Sequence, residues 1–193
     1  MVGRIIEKIM DSIVKGSVTD VAKTKGMEIA EAIMDVDSIV FIDTSGSMEI
    51  VDPGQDASRH ELARQQLVEI QSNNPGKVGL CSFSNTVQFC PDGIPKIEGG
   101  GTNMNAALKW GLQLNGMGVS LIVVSDGLPN RKLLSLQTAA QIDNIIHTVY
   151  IGPESDTEAI QFMRDLANAG RGKALTTKEV PQLAEKVQFL LTG

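Results

Sequence analysis

Three short stretches of the chain set oxygen-bearing side chains directly beside residues fit for burial. Asp43, Ser45 and Ser47 follow the apolar run Val40, Phe41, Ile42, and Gly46 between the serines permits a tight backbone course. Thr102 closes the glycine run Gly99 to Gly101 and is followed by Asn103, Met104 and Asn105. Asp126 ends the apolar part of VVSDGLPN, where Gly127 and Pro129 force a turn. If folding gathers the three stretches, two carboxylates and three hydroxyls surround one small volume.

Two carboxylates in a half-buried cleft repel each other and are poorly solvated, so a bound cation is the natural compensation. A set made only of oxygens, with no clustered Cys or His, points to a hard ion, Mg²⁺, rather than zinc or copper. Mg²⁺ keeps several waters in an octahedral shell, so the five side chains cannot all be direct ligands. Two negative side chains only just neutralise a divalent ion, which stays electrophilic toward an incoming anion. A carboxylate from another protein fits the remaining position.

The elements that must position these residues are readable from the pattern. From Ser38 onward, short β-branched runs alternate with helical segments, the signature of a parallel sheet covered on both faces. Strands are predicted at Ser38 to Asp43, Lys77 to Phe83, Thr86 to Cys90, Val119 to Ser125, Ile145 to Ile151 and near Lys173 to Thr176. Helices are predicted at Ala57 to Gln71, Asn103 to Leu114, Lys132 to Ile142, Thr157 to Ala169 and Lys178 to Leu191. Thr102 and Asp156 can cap helix starts, and Gly170 can close the helix before it. The strands flanking Ser84, Asn85 and Thr86 are too close for a crossover helix and must form an antiparallel hairpin at one edge. In such a sheet function gathers at the carboxyl ends of the strands, where all three oxygen-rich stretches fall.

Ahead of the sheet, Ile5, Ile6, Ile9, Met10 and Ile13 fall at helical spacing, predicting an amphipathic helix over residues 4 to 14. A second helical stretch is predicted over 18 to 34, interrupted only by Gly26. Residues 1–35 therefore read as an N-terminal helical extension and 36–193 as the domain proper.

The chain has 193 residues, enough for one domain with a substantial core. A formal net charge of −6 with no basic run argues against nucleic-acid binding. Charges interrupt the N-terminal apolar residues, and no segment has the unbroken apolar length of a membrane span, so no membrane association and a cytoplasmic location are expected. Cys81 and Cys90 are too few for a disulfide framework or a cysteine-rich zinc site. Their sulfurs would face each other if the hairpin strands pair across the Ser84 to Val87 turn, but two reduced thiols suit a cytoplasmic protein better.

Other residues fit structural roles. GGGTN alone could hold a phosphate at a helix start, but the lysine of a phosphate-binding loop is missing. His60 and His147 have no GxSxG elbow beside them, which argues against a serine hydrolase. Trp110 sits among Leu108, Leu112 and Leu114 and reads as packing. Glu154, Asp156 and Glu158 read as a solvated helix start.

The order of the three elements resembles a von Willebrand factor type A (VWA) domain carrying a metal-ion-dependent adhesion site. DTSGSM is similar to its DxSxS element, GGTNM to its distal threonine element and SDG to its distal aspartate element. The resemblance covers roughly residues 36–193 and implies a Rossmann-like α/β three-layer sandwich. The implied sheet is six-stranded and mostly parallel with one antiparallel edge strand, and helices cover both faces. It also implies Mg²⁺ or Mn²⁺ at the top of the sheet, held by Asp43, Ser45, Ser47, Thr102 and Asp126. Ser45 and Ser47 are the implied direct ligands, while Thr102 and Asp126 exchange direct for water-mediated contact.

The implied function is non-enzymatic binding of a protein whose acidic side chain completes the coordination. AAA+ ATPases or other multi-protein assemblies are the implied partners. Two alternatives stand beside it. Enzymes of haloacid-dehalogenase type also place an aspartate after the first strand and use Mg²⁺ for phosphoryl transfer, but they want a second acid where Ser45 stands. A scaffold acting through its N-terminal helices is the other.

Overall fold

The computed structural model describes residues 13–53, 55–176 and 183–192. At its centre lies β1 (Ser38–Asp43), buried at every position. A strand flanked by strands on both sides and by helices on both faces has no solvent side, which is why its sequence is almost wholly apolar rather than alternating. β1 pairs in parallel with β2 (Val78–Phe83) and with β4 (Ser120–Ser125). β5 (Ile146–Tyr150) and β6 (Arg171–Thr176) continue the parallel sheet beyond β4, and β3 (Val87–Phe89) pairs antiparallel with β2 at the other edge. The order β3-β2-β1-β4-β5-β6 is the mostly parallel, six-stranded arrangement that the sequence predicts.

Successive residues of β1 face opposite layers. Ile39 and Phe41 enter a core shared with Met104 and Leu108 of α4 (Met104–Leu112) and with Phe162 and Leu166 of α6 (Thr157–Ala169). Val40 and Ile42 enter the other core, with Leu67 and Ile70 of α3 (Arg59–Asn73) and Val187 of α7 (Leu183–Thr192). Short α5 (Lys132–Ala139) packs between α4 and α6. Trp110 presents its ring edge to Phe41 at 5.7 Å and stacks on Phe89 at 6.3 Å, a packing role. Among the described residues no helix is long and apolar enough to cross a membrane.

The structure refines the sequence reading at several places. The helix expected over 18 to 34 is two helices, α1 (Val18–Lys25) and α2 (Ile29–Ile33). Gly26 takes a left-handed φ of 67° and its N–H donates back to Ala22 and Lys23 carbonyls, which closes α1 and turns the chain. That turn brings Val18, Ala22 and Ala32 into one core with Phe41. Most of the expected 4 to 14 helix lies outside the described residues, as does the start of the last one; Ile13 and Val14 are not helical.

The cysteines do not face each other. Cys81 is opposite Phe89 in the hairpin, and Cys90 lies one residue further on, so its side chain falls on the other face. Both are free thiols, Cys81 in one core and Cys90 against the other.

Gly170 does end α6, but with φ −90°; the left-handed residue is Arg171, φ 59°. Glycine is needed at 170 for space, since a Cβ there would lie 2.3 Å from the Ile146 Cβ. At α4 the capping side chain is Asn103, which accepts from the Ala106 N–H, rather than Thr102. Asp156 caps α6 as expected, accepting from Ala159 N–H.

His60 sits in the first turn of α3, 1% exposed, and its Nε2 has no hydrogen-bond partner among the described residues. Burial, aided by the charge of Arg64, pushes its pKa down to about 4. Between pH 6.5 and 4 the unfolded chain takes up a proton that the folded chain refuses. Stability from this residue is therefore complete above pH 6.5 and falls on acidification, by up to about 3 kcal/mol. Urea unfolding at pH 7 and pH 4.5 should show His60→Leu losing less stability than the wild-type chain on acidification; equal losses would mean that His60 titrates freely in the folded state.

Candidate metal centre

The strand order reverses direction between β1 and β4, the point at which open α/β sheets leave a crevice above their carboxyl ends. Asp43 is the last residue of β1, and Asp126 directly follows Ser125, the last residue of β4. Neither is accessible: Asp43 is 0% and Asp126 4% exposed.

The loop after Asp43 is pinned on both sides of its serines. Thr44 donates from its backbone N–H and its hydroxyl to the Phe83 carbonyl of β2, at 2.8 and 3.1 Å. Met48, within the 3₁₀ turn Gly46–Glu49, is wholly buried in the α3-side core. Between these anchors the Ser45 N–H donates to Asp43 Oδ1 at 2.8 Å, an Asx-type turn that reverses the chain over the strand end. Ser45 Oγ and Ser47 Oγ lie 3.2 Å apart, and Ser47 Oγ donates to Asp126 Oδ1 at 2.7 Å. Asp43 Oδ2 accepts from Ser125 Oγ at 2.6 Å. Four of the five residues singled out from the sequence thus form one connected hydrogen-bonded network.

Thr102 is joined to them through backbone rather than side chain. The Gly46 N–H donates to the Gly100 carbonyl at 3.2 Å, which ties the glycine loop to the β1 loop. The Asn130 N–H donates to the Thr102 carbonyl at 3.0 Å, which ties it to the β4 loop. Because Asn103 caps α4, the Thr102 hydroxyl is spared that duty and makes no hydrogen bond among the described residues.

Three residues of the site escaped the sequence reading: Ser125, Arg59 and Asp52. Arg59 is 5% exposed, and its Nη1 donates to Asp126 Oδ2 at 2.6 Å. Its Nε and Nη2 donate to Asp52 Oδ2 and Oδ1 at 2.8 and 2.6 Å, a two-pronged fork. One signal for Arg59 was present: it opens a helix behind a Ser58–Glu61 capping box, and a cation at a helix N-terminus opposes the macrodipole unless an anion holds it there.

The two carboxylates live in different fields. Burial raises the pKa of Asp43; hydrogen bonds from Ser125 and Ser45 oppose that, and the charge of Asp126 adds to it. Asp126 has the Arg59 guanidinium against it. Asp52 is held below the usual carboxylate range by its hydrogen bonds from Arg59.

The donor set fits a hard divalent ion. Among the described residues no three His, Cys, Asp or Glu side chains form a metal-binding group, so a site here must draw on hydroxyls. Ser45, Ser47 and Thr102 supply them beside two carboxylates, with no soft ligand. Asp43, Asp126 and Asp52 set against Arg59 leave two formal negative charges, the amount that Mg²⁺ neutralises. With both oxygens already accepting hydrogen bonds, Asp43 suits an outer position, acting through water or by its charge.

No protein-family model matches the chain, and no curated protein matches it by sequence. Solved structures do share its fold. An aerotolerance-related membrane protein from Bacteroides fragilis superimposes with TM-score 0.60 at 15% identity, covering 81% of this chain and 98% of that one. BatB from Bacteroides thetaiotaomicron gives TM-score 0.58 at 16% identity, covering 82% and 100%. A von Willebrand factor type A protein from Catenulispora acidiphila gives 0.53 at 12% identity, covering 79% and 41%. The architecture is a VWA-like α/β fold.

Removing Asp126 leaves the buried Arg59 with Asp52 alone. Asp126→Ala should destabilise the chain in EDTA by about 3 kcal/mol, the lower part of the range for stripping one partner from a buried ion pair. Urea unfolding measures it, and a loss below about 0.5 kcal/mol, the size of an ordinary surface substitution, would mean that the pair is not formed in solution.

Proposed function

We propose that the chain is a non-enzymatic, metal-dependent protein-binding module. The VWA-like fold suggests a protein-interaction role, and the finer reading rests on the crevice above β1 and β4. There Ser45, Ser47 and Thr102, with Asp43 and Asp126 behind them, would hold Mg²⁺ or Mn²⁺. The observation that carries the reading is the hydrogen-bonded chain that runs from Asp43 through the Ser45 backbone N–H, and from the Ser45 hydroxyl across that of Ser47 to Asp126. A bound ion supplies a Lewis-acidic position that a carboxylate can fill. The ligand is accordingly an acidic side chain of a partner protein, with AAA+ ATPases and multi-protein assemblies as the partner class.

The phosphoryl-transfer alternative asks Asp43 to act as a nucleophile. Both its oxygens are engaged and the residue is sealed from solvent, which favours a structural carboxylate over an attacking one.

The sign of the Asp43 shift makes the metal test specific. A carboxyl whose folded pKa is raised weakens the fold as pH rises through its unfolded and then its folded value, so at neutral pH its ionised form works against stability. Asp43→Asn keeps the shape and removes that charge. In EDTA at pH 7 it should melt higher than the wild-type chain. Added Mg²⁺ should raise the melting temperature of the wild type and leave the variant unmoved. An identical response to Mg²⁺ in both chains would refute the metal site, and a pull-down with and without chelator would then read partner capture directly.

A further inference from the structure

We propose that Arg59 is a built-in cation of this centre, which holds Asp126 when no ion is bound and lowers the affinity of the site for a divalent ion. The inference rests on the metal-binding reading above and adds its regulation.

Arg59 is in an unfavourable place for its own charge. It is the first residue of α3, where free backbone N–H groups carry partial positive charge. It is also buried, and an unpaired buried guanidinium costs several kcal/mol. Both costs are offset by three charge-assisted hydrogen bonds. Asp52 takes two of the donors as a fork, which fixes the plane of the guanidinium and leaves Nη1 aimed at Asp126 Oδ2. The other oxygen of Asp126 accepts from Ser47, so the Arg59 charge reaches a candidate ligand through one carboxylate.

Two consequences follow. Without an ion, Arg59 offsets the repulsion between the buried carboxylates by pairing with one of them, so the centre keeps its shape while empty. With an ion, Asp126 is already neutralised from behind, and a positive charge stands beside the one arriving. The ion is then held less tightly and retains more of its charge for an acidic ligand.

Isothermal titration with Mg²⁺ and melting in EDTA, on the full chain, test this with three variants. Arg59→Gln removes the charge and should bind Mg²⁺ roughly tenfold more tightly, the scale of one unit of neighbouring-charge coupling, while melting lower in EDTA. Arg59→Lys retains the charge without the fork and should bind close to wild type. Asp52→Asn keeps the Arg59 charge, removes a carboxylate that offsets it without touching the oxygens of the centre, and should bind Mg²⁺ more weakly than wild type; it also covers the case in which Arg59→Gln fails to fold. Weaker or unchanged Mg²⁺ binding in Arg59→Gln, or unchanged or tighter binding in Asp52→Asn, with wild type still binding, would overturn the inference and leave Arg59 a positioning residue. Absence of binding in wild type would instead remove the metal reading itself, and this inference with it.

Discussion

Two carboxylates withdrawn from water at the ends of neighbouring strands govern the top of this fold. Asp43 closes β1 and Asp126 follows β4, and these strands pair directly, Ile42 opposite Val124. Moving an ionised carboxylate into a protein interior costs several kcal/mol even after relaxation, and a second beside it adds repulsion. Such an arrangement persists only where the surroundings supply donors, and the local structure above β1 and β4 can be read as that supply. The Ser45 N–H, the Ser125 and Ser47 hydroxyls and the Arg59 guanidinium each end on one of the four carboxylate oxygens.

The supply is precise because the loops carrying it have their own anchors. Thr44 is bonded to β2, Met48 is driven into the core, and the glycine loop is bonded to the β1 loop on one side and the β4 loop on the other. Loops on a rigid sheet can hold polar groups where a strand interior cannot, since their side chains need not alternate between two apolar cores. The hydroxyl-bearing positions are thus set by apolar and backbone contacts made elsewhere.

Much of this was legible in the sequence, for a physical reason. Buried parallel strands are continuous apolar runs, and β1 from Ser38 to Asp43 and α6 from Thr157 to Ala169 have the bounds that the pattern predicts. The oxygen-rich stretches fall after strands and so had to lie at one end of the sheet. What was not legible depends on tertiary register or on long side chains. Whether Cys81 faces Cys90 turns on a single residue of hairpin register. The break at Gly26 depends on whether the core rewards a turn there, which helix propensity does not report. Arg59 and Asp52 stand seven residues apart on a loop and a helix start, and meet Asp126 only in the folded chain.

The two carboxylates, alike in sequence, are unlike in the structure, and the difference assigns their parts. Asp43 receives only neutral donors, a backbone N–H and a hydroxyl, so its charge is solvated but not cancelled. Asp126 faces a full positive charge at 2.6 Å. The negative charge left uncancelled at the end of the sheet therefore belongs chiefly to Asp43. Under the proposed metal-binding reading, a cation would find Asp126 only in competition with Arg59, and the placing of that one arginine would set how much positive charge stays available to an acidic ligand.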